Sequence, residues 1–224
     1  MKRFTQFSTV AFLLVFSFSS FAGVVLGSTR VIFNEDQPDA TLTLTNTRDD
    51  KSYLVQSWVG TNGPAGEKAP FIVTPPLFRL GHGQKNILRI VNVNDDLPGD
   101  RESLYWLNIK PVPANDHESA NELQVIIKSS VKLFYRPASV RSAAADAYKK
   151  LNFIRKDEGV EIVNPTPVYV SLYKLTFSDK DIKDVSMLPP FSHTFVRSTQ
   201  RIGQIQWQAV NDSGALTSMM HYVF

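Results

Sequence analysis

Polar and apolar positions alternate along most of this chain, and the period is two. Residues 39–46 (DATLTLTN) put Ala40, Leu42 and Leu44 on one side and threonines on the other, the pattern of a half-buried strand. Residues 52–59, 85–93 and 103–110 are similar runs of β-branched and aromatic side chains, each bounded by Gly, Pro, Asn or Asp. Gly60-Thr61-Asn62-Gly63-Pro64 and Leu80-Gly81-His82-Gly83 supply turn chemistry between them. Pro75-Pro76 interrupts any central ladder and predicts an edge strand or a change of sheet. The pattern breaks at Arg136-Pro137-Ala138-Ser139-Val140, and a second strand series follows over residues 151–155, 160–164, 168–176, 191–197, 202–210 and 216–224. Asn164-Pro165-Thr166-Pro167 reads as a rigid turn, and residues 142–150 hold at most a turn or two of helix. The expected fold is all-β: two β-sandwich domains, residues 23–139 and 140–224, joined by a short proline-containing hinge with a cleft between them.

Residues 1–22 break this pattern. A basic start (Lys2, Arg3), a short apolar run over 10–18 and the small residues of Ser20-Phe21-Ala22 predict a signal peptide removed on export, too short and serine-dotted to span a bilayer. Its loss would lower the formal charge from +3 by the two cations Lys2 and Arg3, leaving a nearly neutral chain with no electrostatic reason to bind nucleic acid. No later segment is apolar enough to insert in a membrane. Cysteine is absent, so an exported protein of this length must rely on packing, and thiol chemistry and zinc ribbons are excluded.

Little here can do chemistry. His82, His117, His193 and His221 are isolated from other metal ligands, and no nucleophile-elbow, zincin, P-loop or dinucleotide fingerprint occurs. Asp49-Asp50 and Asp95-Asp96 lie in polar loops, where carboxylates are ordinarily solvated. Asn211-Asp212-Ser213 matches a glycosylation acceptor, a pattern short enough to arise by chance. No catalytic residue, metal or cofactor is implied.

The segment over residues 100–135 carries the binding signal. Two strand-like runs flank a polar loop, and residues 121–135 read as one long strand. Leu123, Val125 and Ile127 share one face of it, Gln124, Ile126 and Lys128 the other. The first row either packs into its own sandwich or, since both faces carry apolar residues, lies partly outside it. Lys132 and Arg30 each sit in or beside an apolar run, where a buried cation is costly unless paired. They are either outward-pointing cations blunting a strand edge or, if their strands are neighbours, a convergent pair that attracts a carboxylate.

Several blocks in order resemble the periplasmic chaperones of the chaperone–usher pilus pathway, of PapD and FimC type. They are Ser28-Thr29-Arg30-Val31-Ile32-Phe33, Thr74-Pro75-Pro76 with Leu77-Phe78-Arg79-Leu80, Asp100-Arg101-Glu102-Ser103, Ile109-Lys110-Pro111-Val112-Pro113, residues 131–138 (VKLFYRPA), Asn164-Pro165-Thr166-Pro167 and Asn211-Asp212-Ser213-Gly214. The resemblance implies two immunoglobulin-like domains at an angle with the binding cleft between them. It implies that Arg30 and Lys132 hold the C-terminal carboxylate of a pilus subunit, that the strand of Leu123, Val125 and Ile127 is lent to that subunit, and that Glu102, Arg136 and Asp212 form an interdomain ion network. The proline-flanked loop over residues 111–120 and the lack of cysteine resemble the short-loop branch. Implied partners are pilus subunits and adhesin, an outer-membrane usher, and a self-capping oligomer when the chaperone is free. The residues alone leave two rivals: a secreted two-domain structural or adhesive surface protein, and a secreted carbohydrate-active enzyme.

Overall fold

A computed structural model describes residues 23–48, 50–61, 69–94, 96–114, 125–178, 180–199 and 201–224. The signal segment expected over residues 1–22, together with Leu123, His117, Asp49, Asp95 and most of the loop after Pro113, lies outside the described residues. The first half contains β1 (Val24–Leu26), β2 (Arg30–Asn34), β3 (Ala40–Asn46), β4 (Tyr53–Gly60), β5 (Phe71–Thr74), β6 (Leu77–Leu80), β7 (Lys85–Asn92), β8 (Ser103–Pro113) and β9 (Ser129–Arg136). One sheet has the order β1-β3-β7-β5 and the facing sheet β2-β9-β8-β4-β6. The chain changes sheets at Pro75-Pro76, with β5 pairing β7 on one side and β6 pairing β4 on the other.

Period-two alternation builds the core between these sheets. Val31 and Phe33 of β2, Val131, Leu133 and Tyr135 of β9, and Tyr105, Leu107 and Ile109 of β8 point inward with Leu42, Leu44, Leu88 and Ile90 from the opposite sheet. Phe33, Phe71, Tyr105 and Tyr135 meet edge-to-face, stacked or tilted, with ring centroids between 4.9 and 6.4 Å apart. The alternate residues of β2 and β9, among them Arg30, Lys132, Phe134 and Arg136, therefore face out of this core.

Short helical turns over Ala138–Val140, Arg141–Ala144 and Ala147–Lys150 lead into the second half. There β10 (Asn152–Lys156), β11 (Gly159–Asn164), β12 (Val170–Phe177), β13 (Lys180–Asp181), β14 (Met187–Leu188), β15 (Ser192–Arg197), β16 (Gln204–Ala209) and β17 (Met220–Val223) form two sheets, ordered β10-β11-β15 and β13-β12-β16-β17, with β14 on β12. A separate core of Phe153, Ile162, Val170, Leu188, Ile205 and Trp207 fills them. The architecture is two β-sandwich domains. In the Asn-Pro-Thr-Pro turn, the buried Asn164 amide donates to the carbonyls of Val168 and Pro189 while its Oδ1 accepts from Thr166.

Two expected strands are shorter than the pattern suggests. The run over residues 121–135 is a strand only from Ser129, and residues 125–128 belong to no strand. Continuing the β8–β9 register would set Ile127 against Pro111, which has no N–H to donate, and β2 begins only at Arg30, opposite Lys132. Neither side offers this segment a ladder. The last run is a strand only over Met220–Val223, with an isolated bridge between Val210 and Leu216, because the Gln208 amide and Ala209 N–H bond to Thr217.

Candidate functional site

Arg30 and Lys132 are direct neighbours in the parallel β2–β9 ladder. Residues far apart in sequence thus set two cations side by side on the face that looks away from the first core. Both are half-buried. Burial lowers the pKa of Lys132, and the neighbouring Arg30 charge pushes it the same way. Burial also lowers that of Arg30, against the attraction of Asp212. Arg30 Nη1 donates to the Val210 carbonyl of the second domain at 3.2 Å. Among the described residues no carboxylate bonds to either cation.

Four residues along β9 from Lys132, Arg136 spans the domain boundary. Its Nε donates to Glu102 Oε1 at 2.6 Å, and its two terminal nitrogens donate to the Asp212 carboxylate at 2.5 and 2.8 Å. Glu102 uses its other oxygen to accept the Tyr169 N–H at 2.7 Å. Burial raises the Glu102 pKa against the pull of Arg136. Burial works against the Arg136 charge as well, but Asp212 and Glu102 outweigh it, and its pKa rises. Asp212 is positioned by an Asx turn: Asn211 Oδ1 accepts from the N–H groups of Ser213 and Ala215 and from the Ser213 hydroxyl. The Asn-Asp-Ser triplet therefore has a structural use as it stands.

Between the cations and the second domain lies a cavity of about 390 Å³, with Arg30, Phe134, Tyr169, Ser171 and Asp212 on its wall. Lys132 stands one strand over, off that wall. Sequence reasoning passed over Phe134 and Tyr169, whose rings meet at 5.5 Å across the boundary. The signal was present in the period: Phe134 shares its parity with Lys132 and Arg136, so a large apolar side chain sits on the cationic face.

The remaining candidates are dispersed. Val125 and Ile127 are 70 % and 71 % exposed, so for these two the reading of a row packed into its own sandwich does not hold. Leu123 lies outside the described residues. Asp50 pairs with Arg48, and His193 with Glu161. Among the described residues no cluster of His, Asp or Glu could hold a metal ion, and no helix is long and apolar enough to cross a membrane.

Comparison with known proteins gives this arrangement a context. Residues 23–141 match the family described as pili and flagellar-assembly chaperone, PapD N-terminal domain, and residues 146–220 match the pili assembly chaperone PapD, C-terminal domain. The chain is 36 % identical over 222 residues to a probable fimbrial chaperone, LpfB, of Escherichia coli O157:H7, covering 96 % of this chain and 95 % of that one. It is 39 % identical over 220 residues to the Escherichia coli chaperone protein FocC, covering 95 % and 96 %. A chain in the solved complex of the Salmonella enterica SafA pilin with the SafB chaperone superposes with a TM-score of 0.82 at 35 % identity, over 92 % of this chain and 98 % of that one. The two sandwiches, their order and the whole-length likeness agree, and the chain belongs to the PapD-like family of pilus-assembly chaperones.

Proposed function

We propose that this chain is a periplasmic chaperone that captures pilus subunits and adhesin in the interdomain cleft and passes them to an outer-membrane usher. The observation that carries the reading is the Arg30–Lys132 pair: adjacent, half-buried, and with no described carboxylate bonded to either cation, Asp212 acting on Arg30 only through longer-range attraction. Two like charges held together in a partly desolvated place favour an arriving anion. A guanidinium fork and an ammonium suit the C-terminal carboxylate of a subunit.

The segment before β9 supplies the second contact. Val125 and Ile127 continue the parity of Val131, Leu133 and Tyr135, so the apolar row of β9 runs on beyond its own core. With Leu123 it forms the strand lent to a subunit, whose open sheet edge takes the backbone hydrogen bonds while these side chains fill its groove. Each apolar side chain buried this way contributes about 1.5–3 kcal/mol before ordering costs. The network of Glu102, Arg136 and Asp212 holds the cleft in shape. Without a subunit, a second copy would cover the same row.

The test is co-purification of a fimbrial subunit from a periplasmic extract, with mass identification of whatever is bound. Arg30→Ala and Lys132→Ala should each remove the subunit while thermal unfolding of the chaperone stays nearly unchanged. Subunit recovery at the wild-type level in either variant contradicts the anchor role. Surface exposure with no bound subunit would favour the adhesive-protein rival instead.

A further inference from the structure

Two buried polar atoms on the wall of the interdomain cavity bond to no protein group among the described residues: Arg30 Nε and Ser171 Oγ. Ser171 is only 5 % exposed. It lies on β12 between Val170 and Leu172, whose side chains enter the second core, so alternation turns its hydroxyl the other way, toward the first domain. The two atoms belong to one continuous patch. The Ser171 carbonyl accepts the Val210 N–H at 2.9 Å, and the Val210 carbonyl accepts Arg30 Nη1–H at 3.2 Å.

A buried hydroxyl and a buried guanidinium N–H without partners are each unfavourable, and each is relieved by an acceptor. Both can donate and one is cationic, so the complementary group is an anionic oxygen. The neighbouring wall is apolar or small, with Phe134, Ala144 and Ala147, which suits a side chain attached to that anion.

We propose that Ser171 is a positioning residue for subunit capture: one oxygen of the subunit's terminal carboxylate takes the Ser171 hydroxyl together with Arg30 Nε–H, and the terminal side chain lies against Phe134, Ala144 and Ala147. The inference rests on the carboxylate-anchor reading and adds a contact from the second domain to it. Capture then depends on both domains at once, and the cavity selects on the size of the last residue. At about 390 Å³ it has room for a leucine side chain, and a terminal glycine would leave it unfilled.

The experiment is fluorescence polarisation with a labelled strand peptide of alternating valine and threonine ending in leucine, made as free acid and as amide. The wild-type protein should prefer the acid. Ser171→Ala should reduce acid binding about tenfold, the loss expected for one hydroxyl bond to a charged acceptor, with amide binding unchanged. Ser171→Thr should restore it. Replacing the terminal leucine by glycine should weaken wild-type binding, a measurement that needs no variant protein. A Ser171→Ala protein that keeps the full acid preference, or loses acid and amide binding alike, overturns the role of Ser171 and leaves the anchor standing. Equal binding of acid and amide by the wild-type protein overturns the anchor reading itself.

Discussion

Lys132 occupies an inner strand of its sheet, flanked by β2 and β8, with Arg30 beside it and burial already weakening its hold on a proton. A carboxylate drawn into the cleft would reverse that effect. The bound state then holds the proton more tightly than the free state, so capture takes up a proton. Its affinity is full below the lowered pKa of free Lys132 and falls as pH rises through it. Folding has the opposite sign. The unfolded lysine binds its proton more tightly than the folded one, so the contribution of this group to stability grows as pH rises through the same window. Titration of a strand peptide should show affinity declining at pH values below the ordinary lysine pKa of about 10.4. Lys132→Arg should flatten the decline, because a guanidinium stays charged there. A wild-type affinity independent of pH through the alkaline range contradicts the assignment. The convergence itself was hidden from periodicity, which marks each cation as lying beside an apolar run but does not encode which distant strand pairs with which.

At the level of elements, the alternating pattern located the strands well, because each sheet has one face on a core and one face off it. Ends were less legible, since a strand stops where its neighbours stop. Residues 125–128 have a strand's composition, yet Pro111 and the late start of β2 leave them outside the ladder. The same row of side chains is thus divided between two uses. Leu133 is fully buried and holds the first domain together, while Ile127 is 71 % exposed. Leu133→Ala should destabilise the protein by about 2–5 kcal/mol. Ile127→Asp should leave stability within about 0.5 kcal/mol, as for an ordinary surface change, yet sharply reduce subunit recovery. Thermal unfolding and periplasmic co-purification, measured on both variants, separate the two uses. Loss of stability in Ile127→Asp would mean that this segment packs on its own domain.

For the whole molecule, the question is what fixes one sandwich against the other. The hinge turns carry few buried groups, so the angle rests on contacts across the boundary. Phe134 against Tyr169 contributes packing, Arg136 contributes charge, and the Glu35 carboxylate accepts the Ala138 N–H while Asp36 pairs with Arg141. Sequence resemblance pointed to Glu102, Arg136 and Asp212. The aromatic contact and the loop carboxylates needed coordinates, because they depend on how two independently folded units meet. The ion network is unequal in burial: the Glu102 side chain is 1 % exposed and the Asp212 side chain 55 %. Removing Arg136 leaves a carboxylate buried without its counter-charge, a loss of roughly 3–5 kcal/mol. Removing Asp212 takes away only a half-exposed partner, about 1 kcal/mol or less, but it frees the second domain from the guanidinium. Arg136→Ala should therefore lower the unfolding temperature strongly. Asp212→Ala should barely move it while widening the distribution of distances between labels on the exposed Thr41 and on Thr194, one in each sandwich. If Asp212→Ala keeps the wild-type distance distribution, the other contacts across the boundary set the angle, among them Phe134 on Tyr169, Glu102 on the Tyr169 N–H and Arg30 on the Val210 carbonyl, and the Arg136–Asp212 pair does not orient the cleft.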